Sequence, residues 1–151
     1  MGNSLNTLIV QNHEQILEEW LYLRLAIISK HKQSLIMKQM DPFKNPIRHQ
    51  LHEGLKVILE NYEKKGEKYT EAVEQICGIL AIQDYPPSIA MSLFYELKVI
   101  VRKLVKKTGV GFKAKDWVEF NSCIETMTLE AFDFYCAQRE SMLIHGRASS
   151  S

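Results

Sequence analysis

Apolar residues recur at spacings of three, four and seven positions through most of the chain, and this period constrains the fold more than any other feature. Such spacing places apolar side chains on one face of an α-helix, whereas a strand requires alternation. The pattern predicts helices at about residues 6–29, 46–64, 68–83, 87–107 and 116–142, with a short helix at about 31–40. We therefore predict an all-α fold, a single-domain bundle of five to six helices with globin-like packing.

Polar residues and prolines mark where several of these helices begin. Asn45 can accept free amide hydrogens at a helix start, and Pro46 suits the first helical position, as does Pro87. Asp116, followed three positions later by Glu119, resembles a capping box for the last helix. These signals predict the order of helices and loops.

Length and charge limit the possible partners. The chain has 151 residues with 46% hydrophobic content, enough for one core, and its net charge of +1 favours neither nucleic acid nor an anionic membrane. The cations at the end of the fourth long stripe, Arg102, Lys103, Lys106 and Lys107, complement a helix dipole, and we interpret them as terminal charge and not as a binding patch. With no signal peptide and no apolar stretch of about 18 residues, we predict a cytoplasmic protein without membrane insertion. We predict that one domain spans residues 1–145 and that residues 146–151 form a flexible tail.

The cysteines offer no catalytic or metal chemistry. Cys77, Cys123 and Cys136 are odd in number and lack the paired spacing of a zinc or redox motif. We predict reduced, partly buried thiols. Because no nucleophile, base and orienting residue can be assembled, we also predict that the protein is not an enzyme and has no catalytic residues.

Two histidines and a glutamate resemble a metal site at first. His49, His52 and Glu53 could share one helical face, but their order matches neither arrangement of a zinc peptidase. His49 and Glu53 lie opposite the apolar stripe, so we interpret the group as a solvated face. The sequence predicts no metal and no cofactor.

His13 shares a predicted helix face with Ile9, Ile16 and Trp20. A hydrogen-bonded histidine at a helix interface is the usual interpretation of such a position. The alternative is a globin-like sensor in which His13 binds haem, or a sensor for another small apolar ligand.

Two segments carry a family resemblance. One begins at Asp41 and leads into the helix predicted at about 46–64, and the other spans 81–90, where two predicted helices meet. Together with residues 17–20 and 97–98, they resemble the RsbRD N-terminal domain family over about residues 10–105. The motif residues that we single out are Asp41, Pro42, Phe43, Asn45, Pro46, Gln83, Asp84, Pro87 and Ser88. Their residue types favour a structural role in caps and turns.

The resemblance implies a function that the residues alone do not reveal. Members of the family resemble the non-haem globin domains of bacterial stress regulators, which dimerise and pass a signal to a STAS domain. It implies a non-enzymatic signalling domain that forms a homodimer. The chain leaves no room for a STAS domain after its last helix, so it acts alone, binds a STAS-type or other signalling protein on a separate chain, or belongs to a longer protein.

Overall fold

A computed structural model describes residues 4–31, 46–83 and 85–150 of the chain. They form six helices, without any strand among them: α1 (Ser4–Gln11), α2 (His13–His31), α3 (Pro46–Asn61), α4 (Glu67–Ile82), α5 (Pro87–Thr108) and α6 (Ala114–Ser150). The predicted all-α bundle is therefore confirmed. The short helix predicted at about 31–40 falls outside the described ranges, apart from His31 at the end of α2.

The first predicted helix is two helices, so its prediction as one continuous element is wrong. The interruption occurs at Asn12, whose side-chain Nδ2 donates to the Leu8 carbonyl at 2.8 Å. The Asn12 carbonyl in turn accepts from the Ile16 amide at 3.0 Å and begins α2. Short amide side chains compete with the backbone for hydrogen bonds in this way, and the apolar period does not reveal it.

Two predicted boundaries of the last helix also differ. α6 begins at Ala114, because the amide of Asp116 already donates to the Lys113 carbonyl at 3.0 Å. Asp116 therefore lies in the first turn of α6, where a carboxylate complements the helix dipole, and not at the position preceding the helix where it was predicted. α6 also continues past the predicted end at about 142 to Ser150, since no proline follows Pro87 and a glycine such as Gly146 only weakens a helix. The flexibility of 146–151 stays a prediction.

Five helices enclose the core in a ring. α2 packs against α3 and α5, α3 against α4, and α6 lies between α4 and α5, while α1 contacts α2 and α6. A side-chain Cβ at Gly54 would lie 2.7 Å from Cδ1 of Ile76, so the glycine permits the close approach of α3 and α4. Within the described part of the chain, no helix is both long enough and apolar enough to cross a membrane.

The predicted apolar stripes account for most of the core. The α4 stripe is buried throughout, at Tyr69, Val73, Ile76 and Leu80. Ile89 departs from its predicted stripe because it lies in the first turn of α5 and remains 37% exposed. On α2, the second stripe of Leu17, Leu21 and Ile28 is the more deeply buried one, and the first stripe ends half-buried at Leu23 and Ile27.

Candidate functional site

Arg24 on α2 is a fully buried charged side chain, with 0% of its surface exposed. It occupies the position between Leu21 and Ile28 in the second α2 stripe, where the helical period predicts an apolar residue. We did not single it out from the sequence, although a lone arginine within an apolar stripe was the signal available. Buried arginines are rare unless they are paired, so its surroundings are informative.

The guanidinium of Arg24 binds the first turns of α5. Nη1 donates to the Ile89 carbonyl at 3.1 Å, and Nη2 donates to Ser92 Oγ at 3.2 Å and to Glu96 Oε1 at 3.1 Å. One turn before Arg24 on α2, the Trp20 indole donates to the Leu93 carbonyl at 2.8 Å. These bonds hold α2 against the N-terminal half of α5.

Glu96 offsets the charge of Arg24 through one oxygen only. Its Oε2 atom is buried and has no hydrogen-bond partner among the described residues, and the same is true of Arg24 Nε. Burial raises the pKa of Glu96 to about 7, against the opposing attraction of Arg24. Burial also lowers the pKa of Arg24, yet the guanidinium keeps its proton because arginine is not deprotonated in proteins. The carboxyl therefore changes charge near neutral pH.

The turn before α5 lies beside this cluster and contains part of the sequence motif. The Tyr85 carbonyl accepts a buried hydrogen bond of 2.7 Å from the Tyr135 hydroxyl of α6. Gln83 is buried, and its Oε1 atom has no partner in the described part of the chain. Pro87 is the first residue of α5, as predicted, whereas Ser88 is exposed.

Of the other motif residues, the structure describes Pro46 only. Pro46 begins α3, in agreement with its predicted position at a helix start. Asp41, Pro42, Phe43, Asn45 and Asp84 lie outside the ranges that the structure describes. The structure therefore brings Gln83 and Pro87 close to one another in the turn before α5, and Pro46 belongs to a different helix junction.

His13 lies at the start of α2 and lines a pocket of about 380 Å³ between α1, α2 and the end of α3. Its side chain is 22% exposed, and its Nε2 atom is 3.6 Å from Glu60 Oε1. Ile9, Val10 and Leu59 supply apolar walls. The pocket therefore combines an apolar interior with an imidazole and a carboxylate.

The remaining polar candidates lie on the surface. His49 is exposed, and His52 is half-buried with Nε2 at 4.0 Å from Glu18 and Nδ1 at 3.4 Å from Glu53. Within the described ranges, no group of three or more histidine, cysteine, aspartate or glutamate residues could hold a metal ion. Cys77, Cys123 and Cys136 are free thiols, and they are respectively buried, half-buried and exposed.

An apolar stripe lies on the outer face of α6, and we call it the α6 stripe. Its members are large apolar residues with exposed fractions of 66%, 71%, 42% and 60%, namely Val118, Leu129, Phe132 and Leu143. The intervals between successive members are close to whole numbers of helical turns, so the side chains share one face. The stripe was not predicted from the sequence, because α6 also carries the buried stripe from Phe120 to Tyr135.

Comparison with known proteins gave no matching family model, no similar curated protein and no similar solved structure.

Proposed function

We propose that the chain is a non-enzymatic regulatory domain that dimerises through the α6 stripe and binds a STAS-type or other signalling protein. The resemblance to the RsbRD N-terminal domain family suggests the bacterial stress pathway, the cytoplasmic location and the globin-like packing, which belong to the same proposal. The buried α2–α5 junction would be the part whose packing changes with the signal, because coupling requires two arrangements with different partner affinity.

The observation that carries the proposal is the exposure of the α6 stripe. Single exposed apolar residues are common on protein surfaces, but a row of them along one helix face is typical of an interaction site. On the same face, the exposed polar residues Ser122 and Glu125 lie between Val118 and Leu129, and the exposed Asp133 flanks the stripe. A two-fold contact between two copies of α6 would bury the stripe of each chain, since a symmetric dimer pairs the same surface with itself.

The burial of Cys77 argues against a catalytic role for this thiol. Burial raises the pKa of Cys77 to about 12, so this residue is a thiol and not a thiolate at neutral pH. A thiol without a nearby base is a poor nucleophile. Its Sγ instead donates to the Ala131 carbonyl at 3.2 Å, which is a structural contact between α4 and α6.

Sedimentation equilibrium of the purified protein tests the dimer. We expect a homodimer with a dissociation constant below about 10 μM, and we expect Leu129→Glu to yield a folded monomer because a buried, unpaired carboxylate opposes association. Val10→Glu on α1 is the matched control, since Val10 is 72% exposed and Leu129 is 71% exposed. A wild-type monomer at high concentration, or equal effects of the two substitutions, would reject the proposed interface.

A second function is favoured by the position of His13 in its pocket. The pocket volume of about 380 Å³ is within the usual range for small-molecule sites, and its walls are mainly apolar. The alternative is a sensor in which His13 binds haem, or in which the pocket takes another small apolar ligand. Titration with haemin, followed in the Soret region, tests the haem version: a band that His13→Ala abolishes supports it, and the absence of any band rejects it.

A further inference from the structure

A second recognition surface lies between the C-terminal half of α5 and the first turn of α6. It is a groove of about 390 Å³, which we call the α5–α6 groove. Its lining residues are Val99, Arg102, Lys103, Val105, Lys106 and Trp117. Apolar and cationic side chains therefore meet in one depression.

The apolar part of the groove is partly open to solvent. Val99 is 41% exposed, while Val105 and Trp117 are half-buried and pack against the core. The Trp117 ring also contacts Phe120 edge to face, with ring centroids 6.3 Å apart. Two branched aliphatic side chains beside an aromatic ring form a surface for apolar side chains, and they offer little area on which nucleotide bases could stack.

The rim of the groove is positively charged. Arg102 and Lys106 are exposed, and Lys103 extends toward α2, where its Nζ is 3.3 Å from Glu19 Oε1. The lining residues include no carboxylate in the part of the chain that the structure describes. Lys107 at the end of α5 and Lys113 in the loop before α6 are also exposed. This local excess of positive charge contrasts with the whole-chain net charge of +1. The helix dipole accounts for the cations of the last turn of α5, but not for Arg102, which lies one turn earlier.

We propose that the α5–α6 groove binds an acidic amphipathic segment of a partner protein. Apolar side chains of that segment contact Val99 and Trp117, and its carboxylates pair with Arg102 and Lys106. The inference deepens the proposed regulatory function and rests on it, because it names the chemistry of the partner that the domain recognises. Charge complementarity between the rim and such a segment also speeds association and makes it dependent on salt.

The test uses NMR titration of the full chain with synthetic amphipathic peptides of about 14 residues, long enough for several helical turns. One peptide carries a stripe of leucine and phenylalanine flanked by glutamates, a second has lysine in place of every glutamate, and a third has serine in place of every apolar residue. The chain has two tryptophans, so the indole signals of Trp117 and Trp20 can be followed separately. Trp20 is a reference for the fold because its indole is buried on the Leu93 carbonyl.

We expect the acidic amphipathic peptide to shift the Trp117 indole signal and leave that of Trp20 unchanged. Raising the salt from about 50 to about 300 mM should weaken binding, because exposed charges are screened. The double variant Arg102→Gln/Lys106→Gln should bind about fivefold more weakly, in line with the small contribution of each exposed ion pair. Lys64→Gln/Lys68→Gln removes the same charge from exposed lysines outside the groove and should bind like the wild type.

Several results would overturn the inference. They are the absence of a Trp117 shift at millimolar peptide, equal binding of the lysine peptide, equal binding of the serine peptide, and equal effects of the two double variants. A Trp117 shift that follows protein concentration without peptide would assign the groove to a second copy of the chain and also reject it. Sedimentation of the same samples measures dimerisation through the α6 stripe separately. A result that rejects peptide binding in the groove can therefore be distinguished from one that rejects the proposed dimer.

Discussion

At the scale of single residues, the Arg24–Glu96 pair is the most unusual chemical feature of the protein. A buried ion pair gains little when the desolvation of both groups is set against their attraction. Here the attraction runs through one carboxylate oxygen, and the other oxygen, Oε2, is buried without a hydrogen-bond partner among the described residues. Ionised Glu96 therefore remains costly in the folded state, although Arg24 is its partner.

This cost predicts how stability depends on pH. The pKa of Glu96 rises from 4.5 to about 7 on folding, so the folded state binds the proton more tightly than the unfolded state. The free energy of unfolding should consequently fall as pH rises from about 4.5 to about 7, by roughly 3 kcal/mol from this group, and level off above. Glu96→Gln should lose this part of the slope.

Denaturant unfolding across this pH range measures the effect as the difference in slope between wild type and variant. Glu71→Gln is the control, because Glu71 is an exposed glutamate on α4 and its substitution changes the charge equally. Parallel pH profiles for wild type and Glu96→Gln would contradict the assignment of the neutral-range proton to Glu96.

At the scale of secondary-structure elements, Gly109 determines where α5 ends. Its φ is 69°, in the left-handed region, and its amide donates to the Val105 carbonyl at 3.1 Å. A residue with a Cβ is strained there, whereas glycine is not. The turn ends α5, so that the chain can change direction before α6 begins at Ala114 and packs against α5.

Gly109→Ala should therefore lower the free energy of unfolding by about 1 kcal/mol. Gly111→Ala in the same loop is the matched control, because Gly111 has no positive φ and a Cβ there meets open space. We expect Gly111→Ala to be neutral or slightly stabilising, since it restricts the unfolded chain. Equal losses in the two variants, measured by denaturant unfolding, would show that the left-handed turn does not limit stability.

At the scale of the whole molecule, the labelling rates of the cysteines measure how readily the helical bundle opens. Cys136 is exposed on α6, whereas Cys77 is buried between α4 and α6. A thiol reagent at neutral pH should label Cys136 first, and Cys77 should react only through opening of the bundle. Labelling followed by mass spectrometry, with and without denaturant, measures both rates.

The Cys77 rate should increase with denaturant in parallel with global unfolding, while the Cys136 rate should change little. Cys136→Ser removes the rapid phase and serves as the assignment control. Rapid labelling of Cys77 in the native protein would contradict its burial in the core.

The sequence by itself determined the helical elements, because the apolar period and the prolines act within one segment of chain. The α4 stripe and the start of α5 at Pro87 were predicted for this reason. Tertiary structure decided the features that depend on neighbours distant in sequence: the burial of Arg24 against Glu96, the pocket beside His13, and the exposure of Leu129. A side chain has the same identity in either setting, and only the packing of the other helices determines whether it is desolvated, paired or left for a partner.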